Sequence, residues 1–266
     1  MPIDIKSPRE IEAMRAAGAM AAETLLLVGE KIRAGMTTEE INQLVHEDTV
    51  RRGAKPAPLN YRGFPKSVCT SVNHVVCHGI PDKKTVLRDG DIVNVDVTTI
   101  HQGFHGDTSA TFYIGVPSPE GRRVTEVARQ ALEIGIAQVK EGGRIGDIGA
   151  AIQEYVEAQG CSVVRDFVGH GIGRKFHEDP QVKHYGRRGT GERMKAGMTF
   201  TIEPMVNVGH WEVVVDPKDK WTVTTADGSL SAQFEHTILV TKAGPEVLTK
   251  RLKPLRMSEN VVAVFA

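Results

Sequence analysis

A shift of 107 residues (142 minus 35) lays this chain over itself. It carries Gly35 onto Gly142, Ile41 onto Ile148 and Gly53 onto Gly160. It also carries RDGDIVNVDV (88–97) onto KAGMTFTIEP (195–204), so Gly90 falls on Gly197, Val95 on Ile202 and Asp96 on Glu203. With other offsets VCHGI (76–80) matches VGHGI (168–172), and the Asp107 strand matches SAQFEHTILVT, which sets Asp107 against Glu235. A long period occurring twice excludes a solenoid, which needs three or more shorter repeats. The pattern predicts an α+β chain whose halves, about 7–115 and 124–242, face each other in a single domain spanning 1–266.

Local signals supply the elements. Residues 7–32 step apolar positions at helical spacing behind a Ser7-x-x-Glu10 capping box. Residues 37–53 predict a second helix closed by Gly53, and strand patterns follow at 68–77, 91–99 and 105–115. The second half opens with helices from about 124 and from 144 to Gly160, and HWEVVVDPKDKWTV (210–223) reads as an extended hairpin.

Acidic residues recur at strand centres. An Asp or Glu in a strand such as VNVDV or FTIEP loses hydration on burial, at a cost of several kcal/mol unless a cation or donors compensate. One such residue is most simply a surface position. Four at matched places, Asp96, Asp107, Glu203 and Glu235, with no Lys or Arg in register in their own strands, point to a bound cation. Residues 93–112 read as a hairpin centred between His101 and Gln102, which would make Asp96 and Asp107 direct cross-strand neighbours. FVGHGIGRKFHEDP adds His170 and His177 among glycines that permit close backbone approach. His46, His184 and His210 read as solvated, while His101, His105 and His236 lie near the acidic strands without a motif role. GHGIG lacks both glycine-rich phosphate-loop patterns. Four carboxylates and an imidazole form an oxygen-rich donor set suited to Mn, Fe or Co, with Zn tolerated, and sufficient for two ions.

In order, Asp96, Asp107, His170, Glu203 and Glu235 resemble the ligand set of type I methionine aminopeptidases, the bacterial type of peptidase family M24. NYRGFPKSVCTSVNHVVCHGIP, DGDIVNVDV, FHGDTSATF, GHGIGRKFHEDP, MTFTIEPM and SLSAQFEHTILVT match in kind and order across nearly the whole chain. The resemblance implies the pita-bread fold, a pseudo-twofold α+β arrangement with two divalent ions between its halves. It implies that Asp107 and Glu235 reach both ions, Asp96 one, and His170 with Glu203 the other, and that Glu203 also moves the proton of the attacking water. His78 and His177 would contact the substrate beside the scissile amide and at its carbonyl. Tyr61, Phe64, Cys69, Phe176 and Trp221 would line a methionine pocket, where sulfur–aromatic contacts are favourable. The backbone carbonyls of Asn73, Val75 and Ser231 would hold a monovalent cation. His74, Asn60 and Pro58 depart from the residues common in that family, at the pocket rim.

The implied activity is removal of initiator methionine from nascent polypeptides whose second residue is small. A proline-specific relative would carry an additional N-terminal domain, whereas the first helix pattern here begins at residue 7; a non-catalytic binding module on the same fold would have lost ligands. Lys+Arg 33 against Asp+Glu 33 gives no electrostatic case for stable nucleic-acid or membrane binding. The basic stretch YGRRGTGER (185–193) reads as a solvated loop, with a transient ribosome contact as the alternative. Three cysteines without CxxC spacing, no leader-like segment and no long uncharged apolar span place the chain in the cytoplasm, as a monomer like its family.

Overall fold

The computed structural model describes residues 3–251, 253, 255–258 and 261–263. Helices α1 (Pro8–Lys31) and α2 (Thr38–Arg51) precede the long hairpin Ile92–His101/Phe104–Tyr113, and α3 (Pro119–Ala137) and α4 (Ile145–Ala158) follow it. In the central sheet, Lys55–Pro56, Ile92–His101, Phe104–Tyr113, Glu235–Thr241, Thr199–Ile202, Gly169–Gly171 and Glu178–Val182 lie in that order; Cys69–Val72 joins the Ile92 strand and Gly244–Val247 the Glu235 strand.

Glu10 reaches back to the Ser7 backbone N–H and hydroxyl, and Glu40 does the same at Thr37, so both helices start where the capping signals put them. The third helix starts at Pro119 rather than near 124, because Ser118 caps it and Pro119 occupies a position whose N–H needs no partner. The strand expected at 68–77 divides into Cys69–Val72 and Val75–Cys77, since Asn73 turns the chain at φ 55°.

The shift of 107 has a physical counterpart. Gly35 and Gly142 both take φ 85°, Gly90 and Gly197 take 97° and 91°, and Gly53 and Gly160 take 76° and 67°, a region glycine enters at least cost. Gly35 N–H donates to Leu87 O as Gly142 N–H donates to Met194 O, and Ile114 N–H meets Asp91 O as Val240 N–H meets Met198 O, all at 2.8–2.9 Å. The Asp107 and Glu235 strands are antiparallel neighbours, with His236 opposite Thr108 and Glu235 opposite Ser109.

Alternation divides the sheet by face. Val93, Val95 and Val97 are fully buried and belong, with Ala110, Phe112, Phe200 and Ile202, to one continuous core that includes residues of all four helices. Asn94, Asp96 and Thr98 occupy the opposite face, opposite Thr111, Ser109 and Asp107. The hairpin register therefore differs from expectation: Asp107 pairs with Thr98 and Asp96 with Ser109, because Gln102 and Gly103 form the turn. A displacement of two residues keeps both carboxylates on one face, as diagonal neighbours; a displacement of one would have separated them.

α1 crosses the Asp107 strand closely enough that a Cβ on Gly106 would lie 2.4 Å from the Gly18 backbone nitrogen and 2.5 Å from Ala17 C. Gly106→Ala should destabilise the protein by about 3 kcal/mol through backbone displacement, the upper end for overpacking. A urea-denaturation midpoint indistinguishable from wild type would contradict this close approach.

Candidate metal centre

A cavity of about 300 Å³ opens where the two pseudo-symmetric halves meet. Its lining includes every side chain singled out as a divalent ligand or substrate contact: Asp96, Asp107, His170, Glu203 and Glu235, His78 and His177, and Tyr61, Phe64, Cys69, Phe176 and Trp221. Pro58, Arg62, Cys77, Asp166, Met205 and Gln233 also contribute.

The polar floor is made by strands from both halves. Asp107 and Glu235 are 3% and 2% exposed, while Asp96 and Glu203 keep a little more contact with the cavity. Ligand atoms of Asp107, His170 and Glu235 all lie within 4.8 Å of one another. The Thr98 hydroxyl donates to Asp107 Oδ1 at 2.7 Å and the Thr201 hydroxyl to Glu203 Oε1 at 2.6 Å, so each half supplies a hydroxyl that aims a carboxylate. Gln233 Nε2 donates to Glu203 Oε2 at 3.3 Å.

Two features show that these residues fit a cation. Asp96 Oδ1 is buried without a hydrogen-bond partner, a state that costs about 1–3 kcal/mol or more for a charged group. His170 Nδ1 lies 3.0 Å from Gly171 O, to which it donates, so the lone pair of Nε2 faces Asp107 Oδ2 at 3.8 Å and Glu203 Oε1 at 3.7 Å. Lone pairs of a neutral imidazole and two carboxylates repel unless positive charge lies between them.

Titration follows the same logic. Burial pushes Asp96 up to about 7 and Glu203 up to about 8, and burial together with neighbouring carboxylates raises Asp107 and Glu235 well above the usual range. Burial lowers His170 and His78 to about 4.

The pocket wall is aromatic. Phe64 meets Trp221 edge-on at 5.2 Å, His78 meets Trp221 at 5.9 Å, and Tyr61 lies 4.9 Å from Phe176. The Tyr61 hydroxyl and His177 Nδ1 are 2.9 Å apart. Asn60 takes φ 66°, the left-handed conformation that asparagine shares with glycine. Away from the cavity, Ser231 N–H donates to Asn73 O at 2.9 Å, Val75 follows two residues later on the strand paired with Thr224, and His74 is exposed.

Several contributors were not legible from motifs. His184 was expected in solvent; it is fully buried, and its Nε2 accepts the Glu203 backbone N–H at 3.0 Å. His105 and His236 are buried too, against Gly173 O and Thr249 Oγ1. Arg251, 5% exposed, donates to Ser109 O and Thr108 Oγ1 at 3.1 Å, and its charge opposes part of the upward shift of Glu235. Thr98, Thr201 and Gln233 each stand two residues in sequence from one of the four carboxylates, a spacing that could have found them. Nothing local announces His184 or Arg251.

The sign of the pH dependence can be assigned. Carboxylates raised in the folded state favour it while protonated, and that contribution is lost as pH rises through their folded values; the depressed histidines destabilise only below their ordinary 6.5. Between pH 6.5 and about 8 the carboxylates therefore act alone, and the melting temperature of metal-free protein should fall across that window. Manganese should abolish the fall and release protons on binding, measurable by calorimetry in two buffers. A flat metal-free profile would contradict the assignment.

The model of metallopeptidase family M24 matches residues 12–242. Methionine aminopeptidase A of Synechocystis is 56% identical over 93% of this chain and 97% of its own length. Methionine aminopeptidase of Escherichia coli K12 is 53% identical over 100% and 99%. The crystal structure of methionine aminopeptidase from Rickettsia prowazekii superimposes with a TM-score of 0.92 at 52% identity, covering 93% of this chain and all of that one.

Proposed function

This chain belongs to metallopeptidase family M24, among its methionine aminopeptidases with their pita-bread fold, and we propose how its residues share the removal of an N-terminal methionine. The observation that carries the reading is the convergence of four carboxylates and the His170 lone pair on one cavity, with Asp96 Oδ1 left without a partner.

Asp96, Asp107, His170, Glu203 and Glu235 would hold the two divalent ions. Bound there, Fe, Mn, Co or Zn supplies Lewis acidity that lowers the pKa of water toward neutrality and polarises the scissile carbonyl. The chain's own groups do the rest. Glu203, steadied by Thr201 and Gln233, accepts the proton of the attacking water and returns it to the leaving amine. His177, whose Nδ1 lies 2.9 Å from the Tyr61 hydroxyl, presents Nε2 with its proton to the substrate carbonyl and the negative charge that develops there. His78, neutral above about 4, hydrogen-bonds the substrate beside the amide. Phe64, Cys69, Phe176 and Trp221, with Tyr61, enclose the methionine side chain, and the substrates are chains whose second residue is small.

Residues 7–115 and 124–242 act as halves of one catalytic domain spanning 1–266, because each supplies ligands and their core is continuous. The carbonyls of Asn73, Val75 and Ser231 hold a monovalent cation; Asn73 O keeps a lone pair beyond its bond to Ser231. The protein works as a cytoplasmic monomer on nascent chains, as the family likeness implies, and a net charge of zero favours only a transient meeting with the ribosome. Among the described residues no helix is long and apolar enough to cross a membrane.

Metal-loaded enzyme should release methionine from a Met-Ala peptide and leave Met-Lys intact. Glu203→Gln should reduce kcat about 10²–10⁴-fold, the usual share of a proton-transferring group, with the protein still folded by circular dichroism. Absence of release from Met-Ala by a folded, metal-loaded sample would overturn the reading.

A further inference from the structure

The Lys6 side chain is only 1% exposed, although an ammonium taken out of water is costly unless well paired. Its Nζ donates to Glu178 Oε2 at 2.7 Å, across 172 residues of sequence, and to Asp4 Oδ2 at 2.6 Å. Glu178 directly follows His177. Its other oxygen, Oε1, accepts the Lys175 backbone N–H at 3.0 Å, so one carboxylate ties both ends of the segment that presents Phe176 and His177 to the cavity.

The same ammonium limits the turn preceding that segment. A Cβ on Gly173 would lie 2.5 Å from Lys6 Cε and Nζ. Gly173 O accepts the His105 backbone N–H at 2.9 Å and lies 2.9 Å from His105 Nδ1, and the His105 ring stacks on Phe176 at 5.6 Å and 20°. Lys6 is itself fixed by its backbone N–H, which donates to Gly197 O at 2.9 Å, in the turn before the Glu203 strand.

We propose that Lys6 is a positioning residue: through Glu178 it sets the backbone of Lys175–Glu178 and thereby places His177 against the substrate carbonyl. This rests on the role of His177 given above. Without the ammonium, the Glu178 carboxylate turns toward water, Lys175 N–H loses its acceptor and the His177 ring drifts from the position of the developing oxyanion. Because that contact strengthens in the transition state, the loss falls on kcat more than on KM.

The test is a double-mutant cycle on the full-length, metal-loaded enzyme, with hydrogen exchange over residues 171–178 read on metal-free and loaded samples. Lys6→Met should lower kcat about 10- to 100-fold in the wild-type background and hardly at all beside His177→Ala. It should also speed exchange in 171–178, with metal or without. Lys6→Met with Glu178→Met, which removes both buried charges, should recover the melting temperature but not kcat; this pair carries the comparison should Lys6→Met alone not fold. Unchanged kcat, losses that simply add in the cycle, kcat that returns together with the melting temperature, or unchanged exchange would each overturn the proposal, as would an unimpaired His177→Ala. Wild-type enzyme that releases no methionine would instead refute the functional reading, while exchange would still decide whether the segment depends on Lys6.

Discussion

Four carboxylates gathered in a buried patch cannot all carry charge unless something positive stands among them, and the architecture is arranged around that constraint. One sheet face is apolar and packs on the helices; the other collects Asp96, Asp107, Glu203 and Glu235. Asp107 and Glu235 come from strands hydrogen-bonded side by side, so anions that an ordinary core would separate are brought together by backbone pairing. Burial first, and the neighbouring carboxylates after it, drive their protonation equilibria upward, and Arg251 offsets part of the shift at Glu235. The remaining imbalance is the affinity of the site for a dication.

The surrounding groups decide how that affinity is directed. Thr98 and Thr201 act in corresponding ways in the two halves, each holding one carboxylate oxygen, while Gln233 meets the second oxygen of Glu203. His184 accepts the backbone N–H of Glu203, fixing the strand end from behind. The aromatic wall around Trp221 and Phe64 adds an apolar compartment beside this charged floor, which suits a substrate whose first side chain is apolar and whose cleaved bond is polar.

Much of this could be read in the sequence because duplication writes the same physical requirement twice. Gly90 and Gly197 need a conformation that only glycine adopts cheaply, and each leads into a strand that brings an acidic residue to the cavity, so their coincidence with Asp96 and Glu203 carries information. The hairpin register was misplaced by two residues because the turn at Gln102–Gly103 contributes no strong local signal, yet the period of two preserved the face. His184 was misread as solvated because its neighbours are polar and loop-like; its burial depends on the Glu203 strand folding over it. Arg251 reaches Ser109 from beyond the last strand of the main sheet, a contact set by tertiary packing alone.

The pairing of Ser109 with Glu235 also constrains the order in which the molecule can be assembled. A chain synthesised only as far as residue 115 would present the Phe104–Tyr113 strand as an open edge, with the Asp107 carboxylate and no partner for its exposed amides. Closure waits for a segment more than 100 residues downstream, a non-local contact of the kind that slows folding. The Asp107 and Glu235 carboxylates therefore come together only once strands of both halves are paired.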